Sequence, residues 1–212
     1  MLGLVKHTFN YLPYYGPKET VLVERDGKMV VDTIFAQVPS FSFTDQYGRP
    51  FTDKDVEGKI VIADFFFTRC QTICPRMSAH MQQLQVMLKD DAFDDVVFLS
   101  HSVDPEHDTP EVLDRYARDL EADSTRWKFL TGNALDIYRI GNTGYLLSAL
   151  EDSTSAEQFV HDGRFVLVDR QRHIRGYYDG TEANGVNELA GDLKMLLKEE
   201  KIIARDAAKA KQ

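Results

Sequence analysis

The chain is expected to fold as an α/β domain: a mixed central sheet with flanking helices and an N-terminal β-hairpin extension. Three observations predict this. Residues 60–67, Ile-Val-Ile-Ala-Asp-Phe-Phe-Phe, are a nearly unbroken apolar run, as a central strand buried on both faces requires. After Pro75, the residues Met77, Met81, Leu84 and Leu88 recur at steps of four, three and four, one stripe of an amphipathic helix. Strand-like and helix-like segments then alternate and close with a hairpin and a last helix. A chain of 212 residues with 43% hydrophobic content buries one substantial core and is short for two unrelated domains.

The elements follow in order. Tyr11, Pro13, Tyr14, Tyr15 and Pro17 mark an extended lead, because proline fixes its own backbone and restricts the residue before it; it reads as an arm laid on the domain or leading from an anchor. Residues 20–23 and 28–33 flank Asp26-Gly27, a hairpin signal. A second hairpin is expected from 40–44 and Phe51 around the turn 46–49. Residues 96–100 read as another buried strand. Thr109 offers an N-cap with Pro110 in the first helical position, ahead of Val112, Leu113, Tyr116 and Leu120. Residues 127–130 make a short strand, 134–140 a short helix ending at Gly141, and 165–168 a strand paired with 175–178. The closing helix turns Leu189, Leu193, Leu196 and Leu197 inward before an alanine and lysine tail expected to fray. Two βα units, a β-hairpin and a last helix describe the thioredoxin arrangement, here with an N-terminal β segment and an insertion before the final hairpin. The expected divisions are 1–36 as arm and hairpin, 37–205 as the main domain and 206–212 as a flexible tail.

Charge excludes one class of partner. A net charge of -9 with no basic run opposes nucleic-acid binding, since phosphate backbones demand clustered Lys and Arg. No apolar stretch approaches the ~20 residues that cross a bilayer, and residues 1–10 lack the charged start and sustained apolar run of a signal peptide. The chain as given is expected to be soluble, which also suits the clipped portion of an anchored protein.

Only two cysteines occur, and they lie four positions apart. The plain alternative for each is an inert core thiol, yet the clustering points to chemistry. Phe67-Thr68-Arg69-Cys70-Gln71-Thr72-Ile73-Cys74-Pro75 sits where a buried strand hands over to a helix, and unpaired amides with the positive end of the helix dipole stabilise a thiolate there. Residues four apart on a helical turn share a side, with β-carbons roughly 5–6 Å apart. Both sulfurs can therefore address one soft ion, and a modest twist closes a disulfide, which needs about 3.5–4.5 Å. Two thiolates and an imidazole suit copper. A structural zinc site wants a fourth ligand, for which His80 or His101 would be available.

The run from Asp64 to Met77 carries a CxxxCP signature, and Ser102-Val103-Asp104-Pro105-Glu106-His107-Asp108-Thr109-Pro110-Glu111 follows it. Together, in this order, they resemble the Sco/SenC family over roughly residue 38 to the end of the last helix. The resemblance implies a thioredoxin-like fold, one copper ion bound by Cys70, Cys74 and a later histidine, and a part in building the dinuclear copper centre of cytochrome c oxidase subunit II. It also implies the alternative role that some members play, thiol-disulfide reduction of that same partner. One departure stands out: the family very often has proline after the first cysteine, where this chain has Gln71. Loop stiffness and redox potential are expected to change more than ligand identity.

Six histidines compete for the third position: His7, His80, His101, His107, His161 and His173. In this fold the loop entering the third main strand lies against the cysteine turn, and 159–164 precedes the strand 165–168. Thioredoxins hold a cis-proline there, but the last proline in this chain is Pro110. His161 takes the neighbourhood, as the family's ligand histidine does; the plain alternative is a solvated loop histidine. His80 flanks a core methionine stripe, and His101 and His107 read as strand-end and surface residues, a weak copper transit site being the alternative. Asp104 either orients His161 and buffers protons or caps the turn before Pro105. Arg69 either favours the Cys70 thiolate or is simply solvated, and Asp64 reads as structural.

The expected function is binding and delivery rather than enzymatic turnover. Copper, Cu(I) or Cu(II), is the expected metal, with Cys70 and Cys74 also the redox pair of the reductase alternative. The expected partner is cytochrome c oxidase subunit II or another copper protein, and the soluble form is expected to be a monomer. Its place is extracytoplasmic, on the periplasmic or cell-envelope side, membrane-tethered at full length. A peroxidase is disfavoured, because the PxxxTxxC pattern of peroxiredoxins would need proline at Ala63 and threonine at Phe67.

Overall fold

The computed structural model describes residues 11–25, 27–147, 149–151, 159–161 and 163–210, excepting the side chains of 149–151, 159–161 and 210. The opening decapeptide with His7, Asp26 and Asp162 lie outside the described residues. The chain builds β1 (Lys18–Arg25) and β2 (Lys28–Phe35), β3 (Ser42–Asp45) and β4 (Pro50–Thr52), then β5 (Ile60–Phe66). There follow α1 (Cys74–Met87), β6 (Val96–Ser102), α2 (Pro110–Asp119), β7 (Trp127–Thr131) and α3 (Ala134–Arg139). Last come β8 (Ala149–Glu151), β9 (Phe159–His161), β10 (Arg164–Val168), β11 (Ile174–Asp179) and α4 (Ala183–Ala210).

Seven strands form one sheet in the order β11-β10-β5-β6-β7-β3-β4. β5, β6 and β7 run parallel, and antiparallel strands close both sides. Every residue of β5 and β6 is buried, which explains their loss of apolar-polar alternation. Period two still sorts their rings: Phe66 stacks on Tyr116 of α2 and meets Phe129 edge-on, whereas Phe65 stacks on His101 and meets Tyr145. Met77, Met81, Leu84 and Leu88 are all essentially buried, as their spacing predicts. α1 packs on α4, and its Ser78 hydroxyl lies 2.8 Å from the Tyr116 hydroxyl of α2.

Both predicted N-terminal hairpins form. β1 and β2 pair antiparallel as a separate ribbon, turning at Gly27 with φ +74, a conformation cheap only for glycine. The arm before them is pinned: the Leu12 amide donates to buried Glu199, while Arg175 donates to the carbonyls of Leu12 and Pro13. Arg175 also pairs with Asp169 and Glu199, all three almost fully buried.

Three boundaries differ from expectation. α1 starts at Cys74 itself, since Pro75 is tolerated in a first turn whose amide has no intrahelical partner anyway. α3 ends at Arg139 and passes into a wider π turn over Ile140–Gly144, beyond the predicted stop at Gly141. α4 continues to Ala210, through most of the predicted tail; alanine and lysine are strong helix formers, and the exposed turns need no packing. Residues 211–212 lie outside the description.

Candidate functional site

The cysteine turn links the end of β5 to the start of α1. The Cys70 amide donates to the Phe67 carbonyl at 3.2 Å, and the amides of Arg76 and Met77 return to the Ile73 carbonyl. The Cys74 amide donates to Cys70 Sγ at 3.4 Å, so one of the donors exposed at the helix N-terminus meets the first sulfur. Thr72 Oγ1 lies 3.6 Å from the same sulfur. Both cysteines are thiols, with Cys70 5% and Cys74 1% exposed. Burial pushes the Cys74 thiol up, a hydrogen bond with Cys70 adds to the rise, and a hydrogen bond with the Phe67 backbone opposes it. The Cys70 sulfur is the one in contact with an amide at the helix start, whereas burial holds the Cys74 sulfur as a thiol until a metal or a bond to Cys70 replaces its proton.

A second wall comes from the loop after β6. Asp108, fully buried, accepts from the Thr68 amide at 3.1 Å, from the Thr68 hydroxyl and from the Ser102 hydroxyl. Burial raises the carboxyl above the usual range, and these three hydrogen bonds pull it back. Asp104, 4% exposed, accepts from Arg69 Nε at 3.1 Å and from its Nη2. Asp104 therefore anchors Arg69 beside Cys70. Its backbone carbonyl takes the amides of His107 and Asp108, closing the turn after it, while its carboxylate goes to Arg69. Asp108, Thr68 and Ser102 were not singled out in the sequence, though Asp108 and Ser102 stand inside the second motif; only the hydrogen bonds reveal what they do.

The third wall is the loop before β10. Gly163 lies against the cysteine turn: a β-carbon on it would come within 3.5 Å of the Ile73 side chain and 3.2 Å of Thr181. His161 ends β9, paired with Ala149, two residues before that contact. Two residues span at most about 7 Å of backbone. The side chain of His161 lies outside the described residues.

The remaining histidines have other work. His80 Nδ1 is 2.8 Å from the Gly180 carbonyl, tying α1 to the turn before α4. His101 is not a surface residue: it is fully buried among Phe41, Phe43, Phe65 and Tyr145, and burial drives its pKa down to about 3, keeping it neutral. The reason is that β6 is covered on both faces to its end. His107 is exposed in the turn after Asp104. His173 packs edge-on against Tyr14 on the arm, beside Asp169. Among the described residues no three His, Cys, Asp or Glu side chains converge as a metal site, so neither His80 nor His101 completes a zinc centre with the cysteines.

Residues 33–198 match the family model described as SCO1/SenC. The chain belongs to the SCO1/SenC family. Among solved structures, it is 35% identical to a SCO1/SenC family lipoprotein from Bacillus anthracis, with a TM-score of 0.69 and coverage of 76% of this chain and 94% of that one. It is 32% identical to BsSco, described as a member of the Sco family of cytochrome c oxidase assembly proteins that contains a disulfide switch; the TM-score is 0.67 and the coverage 76% and 93%. It is 28% identical to Bradyrhizobium japonicum ScoI, solved with copper bound, with a TM-score of 0.62 and coverage of 76% and 99%. These SCO1/SenC relatives share the thioredoxin-like fold, and the matched span takes in both cysteines, the Asp104–Asp108 turn and His161.

Proposed function

We propose that this chain binds one copper ion through Cys70, Cys74 and His161, and passes it to a copper protein of cytochrome c oxidase, subunit II being the expected acceptor. The copper-bound state of the ScoI relative and the oxidase-assembly role given for BsSco support the reading. The observation that carries it is the Cys70 sulfur held on the Cys74 amide, with Gly163 packed on the residue between the two thiols' turn and the helix. Soft thiolates with one imidazole are a donor set matched to copper. Copper is cargo here: a partner's own thiols would take it by ligand exchange. The protein acts as a soluble monomeric head, with residues 37–205 as the working domain, presented extracytoplasmically from a membrane tether.

A second reading, thiol-disulfide reduction of the same partner, is favoured by the asymmetry of the pair. The outer Cys70 sulfur meets a helix amide, whereas burial holds Cys74 protonated. Such a pair attacks with one sulfur and resolves with the other.

A copper titration of the reduced protein tests both. Thiolate-to-Cu(II) charge-transfer absorption should saturate at one equivalent, and His161→Ala should abolish that tight binding while leaving reductase activity in place. Unchanged binding in the variant removes His161 from the ligand set.

A further inference from the structure

Thr68 and Arg69, the two residues immediately before Cys70, are gripped by two carboxylates that lie thirty-five to forty positions further along the chain. The grip is complete on one side. Asp108 uses both oxygens on Thr68, taking its amide and its hydroxyl, and adds the Ser102 hydroxyl from the end of β6. Ser102 in turn accepts the Asp104 amide at 3.1 Å, and the Asp108 amide donates to the Asp104 carbonyl at 2.8 Å. The Phe66 carbonyl accepts the Val103 amide at 2.9 Å, extending the β5–β6 register to the edge of the turn. A carboxyl group at zero exposure is costly to bury unless it is hydrogen-bonded, and these partners supply the bonds. All of these tie the approach to Cys70 onto the rigid end of β6.

We propose that Asp108 is a positioning residue for Cys70: through Thr68 it fixes the turn so that the first sulfur stays over the Cys74 amide, in the open dithiol geometry. The inference deepens the reading of Cys70 and Cys74 as a working pair and rests on it. The clamp holds the turn with both thiols free, and a disulfide imposes its own β-carbon separation of about 3.5–4.5 Å, so a turn fixed in the dithiol arrangement resists whatever movement closure requires. The clamp therefore favours the dithiol over the disulfide and presents a ready-made pair of sulfurs to a metal.

The deciding measurement equilibrates the protein with glutathione, where two glutathione thiols become one glutathione disulfide as the Cys70–Cys74 disulfide becomes two thiols. Asp108→Ala is expected to shift this equilibrium about tenfold toward the protein disulfide, a potential about 30 mV lower. Asp108→Asn, which keeps an acceptor for Thr68, should stay within about threefold of the parent. Val97→Ala, at the far end of β6, controls for a general loss of stability and should not move the equilibrium. If Asp108→Ala does not fold, Thr68→Val carries the test, with an expected shift of about threefold. An equilibrium within twofold of the parent in the folded variant, or a matching shift in Val97→Ala, overturns the proposal. Cu(I) affinity, measured by competition with a chelator, is read alongside, with a loss of about 10–100-fold expected for Asp108→Ala. Failure of the parent to bind copper would sink the copper reading while leaving the glutathione result to judge the clamp.

Discussion

Replacing Asp64 by asparagine should stabilise the protein increasingly as pH rises. Asp64 sits in the middle of β5 at 2% exposure, and its Oδ1 has no hydrogen-bond partner among the described residues. Ser100 is its hydrogen-bonding neighbour, and Trp127 Nε1 donates to that Ser100 hydroxyl at 2.9 Å. Burial lifts the carboxyl from 3.8 to about 7, with the Ser100 hydrogen bond opposing. The folded state thus holds the proton more tightly than the unfolded chain. Between pH 4 and 7 the folded state binds more protons, so stability falls as pH rises through that window and levels off above it. At about 1.36 kcal/mol per pH unit, the interval from 3.8 to about 7 amounts to about 4 kcal/mol. Asparagine removes the titration at nearly equal volume. The difference in unfolding free energy, Asp64→Asn minus parent, should therefore rise by about 4 kcal/mol between pH 4 and 8. Trp127, the one tryptophan of the chain and a member of the network, reports unfolding in urea at each pH. A difference constant to within about 1 kcal/mol across that range refutes the reasoning.

Other substitutions test other parts of the molecule. Arg175→Ala leaves Asp169 and Glu199 buried without their cation and frees the carbonyls of Leu12 and Pro13. A loss of about 3–5 kcal/mol is expected, together with earlier proteolytic cutting near Tyr11 than in the parent; resistance equal to the parent's would show that the arm is held by something else. Met81→Ala, at a fully buried site, should cost about 2–5 kcal/mol in chemical denaturation and leave copper stoichiometry unchanged. Altered stoichiometry would mean that the methionine stripe takes part in metal handling.

The central strand, the methionine helix and both early hairpins are legible because their information is local. A buried strand announces itself within eight residues, and a helix stripe within four turns. The cysteine pair is legible for the same reason, since its spacing and the strand-to-helix junction occupy one short segment. His101 stands at the end of β6, as its position in the sequence suggests, but its full burial is not legible, because nothing local says that this strand is covered on both faces to its end. The length of α4 is not legible because a solvated alanine-lysine stretch is a good helix with no apolar face to betray it.

What the sequence by itself determined is the family, the fold and the two sulfurs, all carried by residue types within short windows. Only the tertiary structure decided that Asp108 serves Thr68, that Asp104 holds Arg69, and that Gly163 meets Ile73. Each of these joins residues thirty-five or more positions apart, and the Leu12 amide reaches Glu199 across 187. No periodicity or propensity encodes such pairs; they exist because the sheet order sets the end of β6 and the start of β10 on either side of the β5 junction.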